Sequence, residues 1–292
     1  MRFLELSNFE CLPGKAGGSP GGTRCSRYCI LTENNMDLKL KDRKAIVTGA
    51  TRGIGLRIAR QLADEGVHLG ICARTAPAVE ETVAELKKKG IDVVGDVIDV
   101  TDAESYPAWI KSAAERLGGL DIFVSNVSAG PTEAGETGWR NLFEADILGA
   151  VRGCEAALPF LRKSDAGSIV LIASISGVMA KALQAPGIHA YGACKAALIA
   201  YGAQISKDLA KEGIRVNMVS PGAIYFEGGP WDFVKQNAPD VYEDAVAHSV
   251  IGRLGTPEEV ASTVVFLASP VSSFTTSQNL HVDGGFMQHV AF

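Results

Sequence analysis

The chain lacks long apolar runs, blocks of basic residues and a leader-like N-terminus. None of its 292 residues belongs to a stretch that approaches the roughly 18 consecutive apolar positions of a membrane-spanning helix. No basic segment followed by an apolar stretch opens the chain, so we expect no secretory signal and a cytoplasmic protein. Acidic and basic residues are mixed at a net charge of −5, which disfavours a nucleic-acid partner. We therefore expect neither a membrane nor a nucleic acid as partner.

Cysteine is sparse, and the six residues present show no disulfide framework. Three of them lie in apolar surroundings and are predicted to be reduced residues in or near the core. These are Cys72, Cys154 and Cys194. The other three, Cys11, Cys25 and Cys29, raise the alternative of a metal cluster. Their spacing differs from that of common zinc pairs and no histidine precedes His68, so we predict no metal site.

Residues 1–36 are rich in glycine and proline, as in PGKAGGSPGGTRCSR, and show no hydrophobic periodicity. Such a segment buries too little apolar surface to offset the entropy of ordering it. We predict a flexible N-terminal extension over 1–36 and one catalytic domain over 37–292.

From residue 42 onward, short runs rich in isoleucine and valine alternate with longer segments of helical spacing. Strands are predicted at 44–48, 67–72, 91–98, 120–126, 168–174, 214–220 and 278–283. Helices are predicted at 54–66, 79–89, 102–117, 139–163, 189–212 and 257–268. Continuously apolar strands separated by helices indicate a parallel sheet covered on both faces. The predicted fold class is therefore α/β, a single doubly wound Rossmann-type domain with a seven-stranded parallel sheet and helices on both faces.

The connection over 224–255 is long, aromatic and marked by glycine and proline. This composition is typical of a mobile substrate-binding segment. Its aromatic residues Tyr225, Trp231 and Phe233 either line an apolar substrate pocket or pack the segment onto the body of the domain.

The stretch TGATRGIG at 48–55 follows a strand and opens a helix. Its glycines allow a tight turn and a close approach of the backbone to a ligand, and the helix N-terminus offers free N–H groups to a pyrophosphate. The alternative is a plain tight turn. A Walker-type loop needs Gly-Lys followed by Ser or Thr, so ATP is disfavoured. The residues assigned to a dinucleotide are Gly49, Thr51, Arg52, Gly53, Ile54 and Gly55.

The end of the second strand indicates which dinucleotide binds. Ala73 and Arg74 stand where an NAD site usually carries an acidic residue for the ribose hydroxyls. Arg52, inside the glycine turn, adds a second cation. Two guanidiniums without a carboxylate suit a 2′-phosphate, so NADP(H) is predicted in preference to NAD(H). The alternative is that both arginines are simply solvated.

The stretch HAYGACKAAL at 189–198 places Tyr191 one helical turn before Lys195, on the same face. A phenol has an unperturbed pKa of about 10, and a nearby ammonium lowers such a pKa toward the working range. Ser174, at the carboxyl end of the fifth strand, can hydrogen-bond an oxygen that gains charge. Tyr-x-x-x-Lys alone is commonly incidental, but with this serine and the glycine turn it predicts hydride transfer from a nicotinamide and proton transfer from Tyr191.

Further motifs occur in a fixed order along the chain, and together they resemble the classical short-chain dehydrogenase/reductase family over about residues 38–292. The resemblance implies a homodimer or homotetramer, packed through the long helices around 139–163 and 189–212. The motifs are TGATRGIG, DVTD (99–102), GLDIFVSN (119–126), GSIVLIASISG (167–177), YGACK (191–195), IRVNMVSPGAI (214–224) and VDGG (282–285).

The resemblance also implies cofactor contacts that periodicity cannot show. Asp99 and Val100 are expected at the adenine, and Asn126 near the ribose. Tyr191 and Lys195 are assigned to the cofactor site as well, since the lysine is expected to hold the nicotinamide ribose. The residues expected to flank the nicotinamide are Pro221, Gly222 and Ile224.

The chain departs from the family pattern near the predicted site. The family's NNAG is replaced by SNVS, so Ser128 stands in place of a glycine. Asp146, in LFEADILGA, stands in place of an asparagine that belongs to a proton relay. Aspartate cannot donate as an amide does, but it can accept or carry charge beside Lys195. We assign Asp146 to the catalytic set, with a local helix hydrogen bond as the alternative.

Two loops also depart from the family pattern. The loop between Ser174 and Tyr191 is several residues longer than usual, with a turn predicted at Pro186-Gly187, and is expected to shape specificity. After PGAI the family often has a threonine that contacts the carboxamide, whereas Tyr225, Phe226 and Glu227 follow here. We therefore expect that contact from backbone groups.

The leading interpretation is an oxidoreductase that transfers a hydride between NADP(H) and a ketone or secondary alcohol, with Tyr191 as acid and base. 3-Oxoacyl thioesters, sugars and small cyclic ketones are all compatible substrates. One alternative is a non-catalytic dinucleotide-binding sensor or scaffold, supported by SNVS and Asp146. Another is an isomerase or lyase on the same fold.

Overall fold

The computed structural model describes residues 36–131, 133–180 and 187–287. The chain divides between Met36 and Asp37, and the architecture below is that of the unit beginning at Asp37. Residues 1–35, with the three N-terminal cysteines, lie outside the described residues. The flexibility of the extension and its lack of a metal site therefore stay predictions. Pro186, and with it the predicted Pro186-Gly187 turn, also lies outside them.

Parallel strands in one sheet position the site. In the described part of the chain they are β1 (Lys44–Thr48), β2 (His68–Ala73), β3 (Val93–Val97), β4 (Ile122–Ser125), β5 (Ser168–Ile172), β6 (Arg215–Pro221) and β7 (Asn279–Val282). Their order is β3-β2-β1-β4-β5-β6-β7. The order reverses beside β1, and open sheets of this kind bind ligands beyond the carboxyl ends of their strands at such a point. The predicted seven-stranded parallel sheet is confirmed.

Helices cover both faces of this sheet. The α-helices of the described residues are α1 (Gly53–Asp64), α2 (Ala76–Lys87), α3 (Ser105–Arg116), α4 (Gly135–Leu142), α5 (Gly149–Leu161), α6 (Ile188–Leu209), α7 (Pro230–Asn237), α8 (Pro239–His248) and α9 (Pro257–Ala268). One apolar cluster joins the sheet to α1 and α9 through residues such as Ile58 and Val264. A second cluster joins it to α3, α5 and α6 through residues such as Ile110, Ala157 and Leu198. The burial of apolar side chains on both faces explains why the strands are continuously hydrophobic.

The start of α9 illustrates how local sequence fixes a helix that supports the site. Thr256 and Glu259 form a capping box, in which the Thr256 backbone N–H donates to the Glu259 carboxylate over 2.8 Å, and Pro257 follows the cap. Arg253 also binds this carboxylate and, together with the backbone N–H, lowers the pKa of Glu259 to about 2. The helix that begins there packs along α1, which carries the glycine turn at its N-terminus.

Element bounds differ by a few residues from the sequence-based expectation, and three further differences bear on the site. The helix predicted over 139–163 begins at Gly135 and contains a π-helical turn at Phe143–Leu148. The sequence-based prediction assumed regular α-helical spacing throughout and therefore missed this wider turn. The segment 224–255 contains α7 and α8, which its glycine and proline content concealed. Strand β5 ends two residues before Ser174.

Two expectations drawn from composition bear on the described residues. The three cysteines assigned to the core, Cys72, Cys154 and Cys194, are free and buried, as predicted. None of the described helices combines the length and the apolar character needed to cross a membrane.

Candidate active site

The glycine turn connects β1 to α1 at the point where the strand order reverses. The side chain of Asn126 braces it from the neighbouring strand, donating from Nδ2 to the Thr48 carbonyl over 2.9 Å and to the Gly49 carbonyl over 3.3 Å. The Asn126 backbone N–H donates to Thr48 Oγ1 over 2.9 Å. The residue predicted beside the ribose therefore also fixes the shape of the turn.

The N-terminus of α1 fits an anionic ligand. Arg52 occupies the N-cap but makes no side-chain cap hydrogen bond, and no acidic residue occurs in the first turn. The positive end of the helix dipole and the first N–H groups of the helix therefore face no acidic side chain from that turn. A Cβ on Gly55 would lie 2.3 Å from the Gly49 carbonyl oxygen, so the helix start and the turn touch through their backbones. The residues present therefore fit a dinucleotide pyrophosphate.

The two arginines assigned to a 2′-phosphate are exposed, Arg52 in the turn and Arg74 directly after β2. Neither forms an ion pair with another residue that the structure describes. Asp99 is engaged locally, because its Oδ1 accepts from the N–H and the hydroxyl of Thr101 at 2.9 and 2.8 Å. Val100 is buried, and its side chain packs near the first residue of α5. Two guanidiniums thus lie beyond the strand ends without an ion pair to any residue in the described part of the chain.

Ser174 lies just beyond β5 and caps a 3₁₀ turn at Ile175–Gly177. Its Oγ accepts the Ser176 N–H over 3.1 Å. This turn rests on α6 through two glycines. A Cβ on Gly177 would lie 2.7 Å from the Lys195 carbonyl carbon, and a Cβ on Gly192 would lie 2.8 Å from the Ser176 oxygen. The small residues thereby bring the turn that carries Ser174 against the part of α6 that carries Tyr191 and Lys195.

Tyr191 and Lys195 occupy successive turns of α6, as the spacing predicted. The Lys195 ammonium lies 5.7 Å from the centre of the Tyr191 ring. It donates to the Ile172 carbonyl at the end of β5 over 3.0 Å, and only 2% of its side chain is exposed. Pro221 ends β6 nearby in the sheet, and the Gly222 N–H donates to the Val282 carbonyl over 3.0 Å. The lysine is therefore fixed at the edge where the strands end.

Asp146 faces Lys195 from the π-helical turn and is fully buried. Its Oδ1 lies 2.9 Å from Lys195 Nζ and accepts the Ser128 hydroxyl at 2.6 Å. Its Oδ2 accepts the Ala129 N–H at 2.9 Å. Burial by itself lowers the pKa of Lys195, but the Asp146 carboxylate, together with Tyr191 and Cys194, raises it, and the net pKa lies above its ordinary value. Asp146 thus lies within ion-pair distance of Lys195, and its place in the catalytic set stays a prediction.

Comparison with known proteins identifies the family to which the chain belongs. Residues 49–287 match the family model described as Enoyl-(Acyl carrier protein) reductase. Isoepoxydon dehydrogenase patN of Penicillium expansum is 37% identical over 251 residues, covering 84% of this chain and 95% of that protein. The chain belongs to the short-chain dehydrogenase/reductase family. The rabbit (Oryctolagus cuniculus) Dehydrogenase/reductase SDR family member 4 is 34% identical over 253 residues, covering 84% of this chain and 94% of that protein.

Solved structures of the short-chain dehydrogenase/reductase family share the architecture. L-sorbose reductase from Gluconobacter frateurii, complexed with NADPH and L-sorbose, matches with a TM-score of 0.79 at 31% sequence identity. The match covers 87% of this chain and 100% of that chain. The chain is therefore similar in sequence and in fold to oxidoreductases that use a nicotinamide dinucleotide.

Two features near this short-chain dehydrogenase/reductase site were missed from the sequence. Ser128 was noted only as a departure, whereas it is a direct partner of Asp146. Phe226 stands in the segment after PGAI, and its ring packs so closely on the glycine turn that a Cβ on Gly53 would lie 2.7 Å from it. The contact between Ser128 and Asp146 could have been found from the fact that both residues depart from the family pattern. Nothing in the sequence indicated the second.

The aromatic residues of the segment 224–255 divide between two environments. The Tyr225 hydroxyl donates to Asp232 over 3.0 Å, and the Lys235 ammonium lies over the rings of Tyr225 and Tyr242 at 5.2 and 5.4 Å. These contacts tie α7 to α8. Phe233 is 67% exposed. Tyr225 therefore organises the segment, and Phe233 leaves an apolar surface on it.

Proposed function

We propose that the protein is an NADP(H)-dependent carbonyl reductase that also catalyses the reverse alcohol oxidation. The observation that carries the proposal is the convergence of Ser174, Tyr191 and Lys195 at the carboxyl ends of the strands, on the edge that also holds the open glycine turn. A phosphate-binding turn and a proton donor on one edge suit hydride transfer coupled to proton transfer.

The side chains divide the reaction among themselves. The glycine turn at 49–55 would hold a reduced nicotinamide dinucleotide, which would supply the hydride for the carbonyl carbon. Tyr191 gives its phenolic proton to the carbonyl oxygen, which becomes the alcohol oxygen, and the Ser174 hydroxyl donates to the same oxygen as it gains negative charge. The Lys195 ammonium, anchored by Asp146 and the Ile172 carbonyl, keeps a positive charge beside the phenol. In alcohol oxidation the same groups act in reverse.

The preference for NADP(H) rests on Arg52 and Arg74. Both guanidiniums are exposed and form no ion pair within the described residues, so they are available to a 2′-phosphate. The sorbose reductase, whose structure was solved with NADPH, has a similar fold. Binding of the dinucleotide is assigned further to the turn 49–55 and to Asp99, Val100, Asn126, Pro221, Gly222 and Ile224.

Arg74→Ala is expected to raise the KM for NADPH about tenfold, because an exposed charge-assisted hydrogen bond to a phosphate is lost. The KM for NADH should change little, since NADH has no 2′-phosphate. Initial rates with both cofactors at saturating ketone measure this. Arg57→Ala, which removes a guanidinium that pairs with Glu258 on α9, is the matched control. Equal losses with both cofactors would contradict the assignment of Arg74.

A spectrophotometric screen with NADPH and NADH in parallel tests the proposed activity. The panel contains L-sorbose, small cyclic ketones and a 3-oxoacyl thioester, since relatives are named for isoepoxydon and L-sorbose. We expect consumption of NADPH with at least one ketone and a lower rate with NADH. Cofactor binding without consumption across the panel would favour a sensor or scaffold. Substrate conversion without net NADPH consumption would favour an isomerase or lyase.

A homodimer or homotetramer is part of the proposal. Trp139 and Phe143 lie one turn apart on the helix that leads into α5 and remain 46% and 49% exposed. Exposed apolar residues grouped on one helical face are suited to an interface between copies of the chain.

A further inference from the structure

The buried carboxylate of Asp146 is surrounded by three hydrogen-bond donors. They are the Ser128 hydroxyl, the Ala129 N–H and the Lys195 ammonium, within 2.6 to 2.9 Å of its two oxygens. An amide would turn an NH₂ group toward one of these donors, so only a carboxylate accepts from all three. We propose that Ser128 and Asp146 act as one unit, in which the carboxylate compensates the charge of Lys195 and sets the pH range over which the site exchanges its proton.

Ser128 is a positioning residue in this unit. Its hydroxyl donates to Asp146 Oδ1 over 2.6 Å, and its Oγ accepts the Gly130 N–H over 3.1 Å. The hydroxyl therefore joins the loop after β4 to the carboxylate. A glycine at position 128 has no hydroxyl and makes neither contact. The hydrogen bond to the Asp146 carboxylate therefore depends on the serine.

The π-helical turn Phe143–Leu148 brings Asp146 to this position. A π turn is wider than an α turn and changes which face of the following helix a residue occupies. The turn lies against α6, and the Asp146 side chain is fully buried there beside Lys195. A buried carboxylate is stable in such a place only when it is paired and hydrogen-bonded, as it is here.

The charges that face Lys195 are few. Among the described residues, the titratable groups that act most strongly on it are Asp146, Tyr191 and Cys194. Burial raises the pKa of Cys194, so its thiol stays uncharged in the neutral range. Lys195 and Asp146 therefore sum to zero charge while Tyr191 carries its proton.

The sign of the pH effect follows from this balance. The Asp146 carboxylate lies 2.9 Å from Lys195, and its negative charge opposes the loss of a proton from the pair of Lys195 and Tyr191. In Asp146→Asn that charge is absent, and the pair loses its first proton at lower pH, whichever group releases it. Ketone reduction needs both protons in place. As the pH rises, the rate of this variant should therefore begin to fall at a lower pH than the rate of the wild type.

The pH profile of kcat for ketone reduction tests the charge role. This arm rests on the proposed function, which makes Tyr191 the proton donor. We expect Asp146→Asn to move the alkaline midpoint down by about one pH unit. Ser128→Ala keeps the charge and should move it by less than half as much, and the double variant should match Asp146→Asn. Asp64→Asn, at an exposed carboxylate paired with Lys89, is the control for net charge.

A wild-type pH profile in Asp146→Asn overturns the charge role, even where kcat itself falls.

The second arm uses cofactor-free protein and needs no turnover. Urea unfolding of the two single variants and the double variant measures whether the residues act together. We expect the loss in the double variant to fall short of the sum of the two single losses, because Ser128 and Asp146 share one hydrogen bond, while the Ser128 contact with the Gly130 N–H is lost separately. Additive losses overturn the unit.

The two arms separate the inference from the proposed function. If the wild-type protein reduces no ketone in the panel, the proposed function fails, whereas the unfolding cycle still reports on Ser128 and Asp146. If reduction occurs and the pH profiles of the wild type and of Asp146→Asn have the same alkaline midpoint, the inference fails and the proposed function stands.

Discussion

Tyr191→Phe is expected to lower kcat for ketone reduction about 10²- to 10⁴-fold, because it removes the proton donor and leaves the ring in place. Binding of NADPH should persist, since the glycine turn and the arginines are untouched. The ring of Tyr191 lies beside Lys195, and phenylalanine keeps that contact. Steady-state rates and a fluorescence titration with NADPH measure the two quantities separately.

Tyr201→Phe provides a matched control for this loss. Tyr201 lies on the same helix, and burial raises the pKa of its hydroxyl. It packs against the cluster of α3, α5 and α6. We expect its kcat to stay within about threefold of the wild-type value, since it donates no proton to a substrate. If both tyrosine variants lose activity equally, or if Tyr191→Phe retains full turnover, Tyr191 is not the acid.

Gly55→Ala is expected to weaken NADPH binding about 10- to 100-fold. The new methyl group would lie 2.3 Å from the Gly49 carbonyl oxygen and 2.4 Å from Asn126 Nδ2. Overpacking of this kind costs about 1–3 kcal/mol, and each 1.4 kcal/mol is about tenfold in affinity. The methyl group would distort the glycine turn itself, because Asn126 holds that turn by two hydrogen bonds and lies in the way of the new atom. Isothermal titration with NADPH measures the loss.

Gly70→Ala is the control for Gly55→Ala. It adds the same methyl group inside β2, where the nearest atom is an Ile46 side-chain carbon at 2.9 Å. A side chain can shift by the few tenths of an ångström required, whereas the Gly49 backbone cannot move without opening the turn. Equal affinities of the two variants for NADPH would show that the contact at Gly55 does not shape the binding turn.

The order of strands and helices could be predicted because each element carries its own signal. Val47 and Val124 belong to runs of β-branched residues whose burial on both faces requires no knowledge of their partners. The spacing of Tyr191 and Lys195 likewise fixes their shared helical face. The helices α7 and α8 lacked such a signal, because Pro230 and Pro239 resemble loop residues until they are seen at the first positions of helices.

The amino-acid sequence by itself determined the parallel sheet, the glycine turn and the pairing of a tyrosine with a lysine, since all depend on neighbours a few residues apart. Only the tertiary structure decided that the Ser128 hydroxyl meets the buried pair of Asp146 and Lys195. Their side chains come from a loop, a π-helical turn and a distant helix. Which of them meet depends on the phase of that turn and on how α6 packs against it, and neither is encoded in local spacing.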